Sequence, residues 1–204
     1  MIKKIIPKNK EEMVELLLEY KIAELNEIEG VSVKEIQEIE NKYGKLPESY
    51  KDILLTIGIN AGSLIDKSEI QFYYNDIIKL NIHIRELNQE AIELGEYVAD
   101  LPDSLIFIEA RYFGDAYFIN TSGGLDSQVF QYFENDEKVV HVYESAWELV
   151  ADLILSARMH IDIRSAITEK EKDNVKDGYR RAGFIGWKNT KDTHILYCPN
   201  VPTA

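Results

Sequence analysis

The chain has 204 residues, with 23 Lys and Arg against 36 Asp and Glu, a net charge of −13 and 45% hydrophobic side chains. That balance argues against a surface that grips phosphates, since nucleic-acid binding draws on clustered Lys and Arg, and no run approaches the about 20 apolar residues of a membrane span. The single Cys198 excludes a disulfide within the chain and a zinc site built on cysteines. The opening Met-Ile-Lys-Lys-Ile-Ile-Pro meets acidic residues before any apolar signal region can form, so a cytoplasmic location is expected.

The acid is unevenly spread. Residues 1–164 carry 16 basic and 31 acidic side chains, whereas 165–204 carry 7 and 5. Such an excess suits a basic protein partner, although solubility alone would also account for it.

In chain order, Asn9 with Glu12 three residues on predicts a capped first helix. Met13, Leu16, Leu17, Tyr20 and Ile28 lie near one face, Glu11, Glu15, Glu19 and Glu27 on the other, and Gly30 is expected to close it. Residues 1–30 therefore read as a helical extension. Ser32 and Glu35 form a second capping box, after which Val33, Ile36, Ile39 and Tyr43 recur on one face until Gly44 stops the helix. Pro47 fits the first turn of the next helix, where its missing N–H costs nothing. Tyr50, Ile53, Leu54 and Ile57 make its buried stripe, and Gly58 is expected as a left-handed C-cap.

After Gly62, Ile70 to Tyr74 reads as a short aromatic strand and Asn75-Asp76 as a turn. Leu80, Ile84, Leu87, Ala91, Leu94 and Val98 alternate spacings of four and three, which predicts a helix of about five turns covering one face of a sheet. Glu86, Glu90, Glu93 and Glu96 fall on its wet side. Four strand-like runs follow at 104–110, 116–121, 128–133 and 139–143, joined by short connections carrying Gly114-Asp115, Gly123-Gly124 and Asn135-Asp136. Short connections join only antiparallel neighbours. The fold class is therefore α+β, an antiparallel meander of four to six strands flanked by helices.

Ser145 and Glu148 predict another capped helix, lined by Trp147, Val150, Leu153, Ile154 and Ala157, and Thr168 with Glu171 opens one more. The stretches Gly178 to Trp187 and His194 to Tyr197 are expected to give a small hairpin. Residues 161–204 read as a helix-plus-hairpin extension docked through Phe184, Trp187, Ile195 and Tyr197, because some 40 residues rarely fold alone.

The acidic-apolar helix from Ser32, the turn at Gly44, Leu46-Pro47-x-x-Tyr50, the second apolar helix and the loop containing Gly62 together resemble the opening of the SUKH superfamily, the Smi/Knr-like proteins. A strand followed by the capped Ser145-x-Trp147-Glu148-Leu149 helix is similar to the end of that domain. The resemblance spans roughly residues 31 to 158 and gives a SUKH-like domain over 31–160. It implies structural roles for Leu46, Pro47, Tyr50, Gly62, Gly114 and Trp147. It also implies a mostly non-enzymatic family, whose bacterial members commonly neutralise polymorphic toxins and whose fungal members regulate cell-wall synthesis.

The residues themselves offer little catalytic chemistry. None of His83, His141, His160 and His194 belongs to H-E-x-x-H, and His160-Ile161-Asp162 is the only close His and carboxylate pairing. Ser122-Gly123-Gly124 lacks the lysine of a phosphate loop, no G-x-S-x-G elbow is present, and Cys198 has no identifiable activating partner. Glu109 and Asp115 flank one hairpin and are the most tempting acid and base pair, yet carboxylate chemistry of that kind needs a cleft and a set separation. No catalytic residue, cofactor or metal is therefore expected. Three readings remain: an immunity protein that binds a cognate toxin domain, basic in character and with nucleases among the eligible types; an adaptor of the same fold with a cellular protein as client; and an enzyme using acidic pocket residues. Loop carboxylates are the expected partner contacts, namely Glu109, Asp115, Asp126, Glu134, Asp136 and Glu137, because turns vary without disturbing a core.

Overall fold

The computed structural model describes residues 4–67, 70–96, 98–99, 101–102, 104–111, 115–133, 139–181, 187–190 and 193–196. Helix α1 (Lys10–Glu19) starts where the Asn9 side chain accepts the Glu12 amide. It ends well before Gly30: a short 3-10 turn (Leu25–Glu27) and strand β1 (Ile28–Glu29) occupy the stretch expected to stay helical. Gly30 serves packing instead, since a Cβ there would stand 1.8 Å from the Leu55 carbonyl oxygen. Helix α2 (Val33–Tyr43) opens on the full reciprocal box, with the Ser32 amide donating to Glu35 at 2.7 Å, and closes on Gly44 at φ +101°. Ile36, Ile39 and Tyr43 are buried, but Val33 is 73% exposed, one turn too early to reach the core.

Helix α3 (Glu48–Ile57) buries Tyr50, Ile53, Leu54 and Ile57. Its Gly58 is right-handed (φ −64°), contrary to the expected left-handed cap; the position is small because a Cβ would meet the Leu54 oxygen at 2.4 Å and Val31 at 2.9 Å. Strand β2 (Asn60–Ala61) pairs antiparallel with β1. The aromatic run after it is mostly not strand: β3 is only Ile70–Gln71, and α4 (Tyr74–Leu94) begins at once, taking Asn75 and Asp76 into its first turn.

The meander follows as expected. Strands β4 (Leu105–Arg111), β5 (Asp115–Asn120), β6 (Val129–Phe133) and β7 (Val140–Tyr143) are antiparallel neighbours, and with β3 they make one sheet in the order β3-β4-β5-β6-β7. Helix α5 (Ala146–Ser165) closes the core, and α6 (Glu169–Arg181) lies on it through the fully buried Tyr179, packed with Leu155 and Met159. Strands β8 (Trp187–Thr190) and β9 (Thr193–Leu196) form the small hairpin; Phe184 and Tyr197 lie outside the described residues.

The sheet separates two cores. On one face Ile106, Ile108, Tyr117, Ile119, Val129 and Tyr143 pack with α1, α2, α3 and α5. On the other, Leu105, Phe107, Phe118 and Tyr132 pack with Leu80 and Ile84 of α4. Helix α4 also closes the sheet edge. Because β3 pairs only with Arg111 and Ala110, the outer edge of β4 is left open further along, and Asn81 fills in for a strand there. Its Oδ1 accepts the Phe107 amide at 2.9 Å and its Nδ2 donates to the Phe107 carbonyl at 2.7 Å, while Arg85 donates to the Leu105 carbonyl at 3.0 Å. Unpaired edges invite association with other chains, and these two side chains remove that invitation.

Candidate functional site

The Leu46-Pro47-x-x-Tyr50 corner is built from three distant pieces of chain. Pro47 is the N-cap of α3 and has no side chain to offer its first amides. The Gly123-Gly124 loop supplies acceptors instead: the Gly124 carbonyl takes the Glu48 amide and the Leu125 carbonyl the Ser49 amide, both at 3.0 Å. The same loop is anchored by the Gly123 amide donating to the Lys45 carbonyl at 2.8 Å and by Thr121 donating to the Tyr43 carbonyl. Glu40 clamps the corner from below, accepting Lys45 at 2.7 Å and the Leu46 amide at 3.2 Å, and the Lys45 ammonium beside it holds its carboxyl below the usual range against the opposing effect of burial.

Asp126 joins this corner to α5. Its Oδ1 accepts the Ser49 hydroxyl at 2.6 Å, the Ser127 amide at 2.8 Å and the Ala146 amide at 3.4 Å. The residue is exposed, yet one of its oxygens is committed to holding α3, the loop and α5 together. Asp126→Ala is accordingly expected to lower stability by about 1–3 kcal/mol, the range for hydrogen bonds to a charged acceptor and the groups left behind. A urea titration checks it: an unchanged midpoint would remove Asp126 from the junction.

Glu109 sits elsewhere than a partner contact requires. The β4–β5 register passes from Phe107↔Phe118 directly to Glu109↔Tyr117, leaving Ile108 as an extra residue in a bulge. Directly opposed residues share a sheet face, so the bulge turns Glu109 to the Tyr117 side, into the larger core. Glu109 is 0% exposed and cannot meet a partner from the surface. Around it lie Tyr117, Gln131 opposite Tyr117 on β6, and Tyr50 from α3, whose phenol is pushed far up by burial and by the Glu109 charge. A second buried acid, Asp152 on α5, is 4% exposed and receives Lys4 Nζ at 2.7 Å, with Tyr143 as a further hydrogen-bond partner. Burial raises the Asp152 pKa, and Lys4 opposes that rise.

A cleft of about 230 Å³ opens between the loop carrying Ser63–Lys67 and α5, with Lys67, His160, Arg164 and Asp66 at its mouth and Leu153 and Ala157 on its floor. Among the described residues no group of three or more His, Cys, Asp or Glu side chains is placed to hold a metal ion.

The six expected contact residues are thus not one site. Glu109 is interior, Asp126 is partly structural, and Asp115 opens β5 opposite Arg111 and Phe133. Glu134, Asp136 and Glu137 lie outside the described residues, as does Gly114. Leu46, Tyr50 and Trp147 are buried at 1%, 1% and 7%, Pro47 is buried, and Gly62 adopts φ +57° beside the Ile22 carbonyl. Sequence reading missed Lys4, Asp152, Asn81 and Glu40; only the placement of an acid or amide on an otherwise apolar helix face hinted at the middle two.

A helical pair meeting at a Gly-Leu-Pro corner, an antiparallel meander with α4 on its far side and a capped closing helix define an α+β protein of SUKH-like architecture. A model of the SMI1 / KNR4 family (SUKH-1) matches residues 30–152, more than half of the chain, and the chain belongs to that family. Proteins of this family are in general immunity or regulatory proteins, which bind partner proteins, and not enzymes. No curated protein matches the chain. No helix among the described residues is long and apolar enough to cross a membrane.

Proposed function

We propose that this protein is an immunity protein that neutralises a cognate polymorphic toxin by binding its toxin domain, without catalysing a reaction. The observation that carries this reading is membership of the SMI1 / KNR4 family joined to a net charge of −13. A chain so acidic repels phosphate-bearing ligands and attracts a basic protein surface. The toxin domain is therefore basic over its contact face, and the complex forms in the cytoplasm of the producing cell. Carboxylates in the β4–β5, β5–β6 and β6–β7 connections, Asp115, Asp126, Glu134, Asp136 and Glu137, contribute to steering as rim charges, which act on association rate more than on lifetime.

Co-expression with the product of the neighbouring gene, followed by pull-down and a growth assay, tests the reading. The expected result is a stable complex and restored growth. A toxin domain that neither binds nor is silenced overturns it and favours an adaptor with another client. Reversing the charge of Glu134, Asp136 and Glu137 together should slow association and flatten its dependence on salt; equal rates at two ionic strengths would take these loop acids out of the steering surface.

A further inference from the structure

One wall of the cleft beside the Ser63–Lys67 loop is a single stripe of α5. Leu153, Ala157, His160 and Arg164 follow one another at spacings of four, three and four residues, so they fall on one side of the helix. The opposite side is occupied: Leu155 and Met159 pack with Tyr179 of α6, and Asp162 accepts the Tyr179 hydroxyl at 2.6 Å. The facing wall is held by its own hydrogen bonds. The Ser63 amide and hydroxyl both donate to the Ile22 carbonyl at 2.8 Å, the Leu64 amide donates to the Ala61 carbonyl at 3.1 Å, and the Ile70 amide donates to the Asp66 carbonyl at 2.9 Å. The cleft is therefore preformed, on an apolar floor of Leu153, Ala157 and Ile70, which are 1%, 5% and 8% exposed.

The mouth departs from the charge of the chain. Lys67 and Arg164 stand exposed there against one carboxylate, Asp66, in a protein whose net charge is −13. Arg158, six residues before Arg164, has its guanidinium spent on Asp162 at 2.6 Å and on the Tyr20 carbonyl at 2.9 Å. Neither Lys67 nor Arg164 forms an ion pair among the described residues; the Lys67 ammonium lies 5.0 Å from the centre of the Tyr73 ring. The half-buried Ser156 hydroxyl also lines the cleft. Charges are screened over about 8 Å at physiological salt, so these lining groups decide what enters and the more distant carboxylates do not. Two cations against one carboxylate balance a single negative charge, which suits a carboxylate and not a phosphate dianion, and a guanidinium fork matches carboxylate geometry. The volume of about 230 Å³ holds about eight water-sized groups at roughly 30 Å³ each, a short molecule with an apolar tail for the floor.

We propose that this cleft is a binding site for a small monocarboxylate with a short apolar tail. Arg164 and Lys67 hold the carboxylate, the Ser156 hydroxyl donates to it, and the tail lies on Leu153, Ala157 and Ile70. The site is independent of the immunity reading, so either can fail without the other. A ligand seated there joins the Ser63–Lys67 loop to α5 and stabilises the folded chain by mass action.

The test is a titration of the full chain with hexanoate, followed through the backbone amide resonances. Hexanoate should shift amides of residues 63–67 and 153–164 saturably. Hexanol has the tail without the charge, hexylammonium carries the opposite charge, and acetate has the charge without the tail; each should bind about tenfold more weakly or worse, as should inorganic phosphate. Lys67→Gln with Arg164→Gln changes two exposed side chains and should leave thermal melting unchanged while weakening hexanoate by about tenfold or more. The ligand series on the wild type gives the same reading without any variant. Absence of a saturable shift with hexanoate overturns the proposal. So does hexanol binding as tightly, which would leave only an apolar hollow, or acetate or phosphate binding as tightly, which would leave only two surface cations. Equal affinity of the double variant and the wild type would take Lys67 and Arg164 out of the site and overturn it as well.

Discussion

Replacing Lys4 by methionine is expected to lower the unfolding free energy at neutral pH by about 3–5 kcal/mol, the cost of leaving a buried carboxylate without its counter-ion. Lys4 reaches from ahead of α1 to α5, with its Nζ 2.7 Å from Asp152 Oδ1, 3.5 Å from Glu148 Oε1 and 5.8 Å from the centre of the Tyr143 ring. Asp152 is 4% exposed and Lys4 15%, so water cannot substitute for the missing ammonium. The sign of the pH dependence follows from the direction of the Asp152 shift. Burial raises its folded pKa above the ordinary value even with Lys4 in place, so its contribution to stability is fully present below the unfolded pKa of about 3.9 and is lost as pH rises through the folded one. Removing Lys4 takes away the main opposing influence and pushes that pKa higher. The deficit of Lys4→Met should therefore be largest at neutral pH and shrink on acidification. Adding Asp152→Asn should recover most of it. Urea titrations of wild type, both single variants and the double variant at two pH values check this; a single Lys4 variant as stable as wild type at neutral pH would mean that the pair does not matter.

Trp147→Ala should cost about 3–5 kcal/mol, the range for deleting a buried indole and leaving its cavity. The ring is 7% exposed and belongs to the larger core with Val150, Leu153 and Ile154. Helix α5 is buried on almost every side, with eleven of its residues inaccessible, because the sheet, α3 and α6 all press on it. Such a site has little freedom to collapse around a void. The Ser145 hydroxyl still accepts the Glu148 amide at 3.1 Å and would keep the helix start in place, so the loss should be one of packing and not of capping. Glu148 itself turns to the Glu144 amide, so the reciprocal half of the expected box is absent at this helix. A lower urea midpoint with an unchanged slope is the expected signature. An unchanged midpoint would place the ring outside the core.

Several features of this protein were settled by the sequence acting locally. The starts of α1, α2 and α6 follow from Asn9, Ser32 and Thr168, each with an acid three residues on, because a cap is made within one turn and needs nothing from elsewhere. The meander follows from four alternating runs joined by short connections, which leave antiparallel pairing as the only geometry. The corner at Leu46-Pro47 and Tyr50, together with the Trp147 helix, was enough to indicate the family.

Other features were decided only by tertiary structure, because they depend on which residues meet across long separations. Alternation along Leu105, Phe107 and Glu109 puts all three on one face; the bulge at Ile108 breaks that phase and buries Glu109, and a bulge is set by register with the neighbouring strand, not by the strand's own pattern. Gly30 and Gly58 look like helix stops in the sequence, yet each is small because another segment's backbone or side chain passes too close for a Cβ. The polar Asn81 on an apolar helix face is explained only by the open edge at Phe107, 26 residues away, and Lys4 only by a carboxylate on α5. Likewise the sequence carries one continuous stripe from Leu80 to Leu94, and only packing against the sheet divides it into a half that is buried, at Leu80 and Ile84, and an end at Leu94 that is exposed.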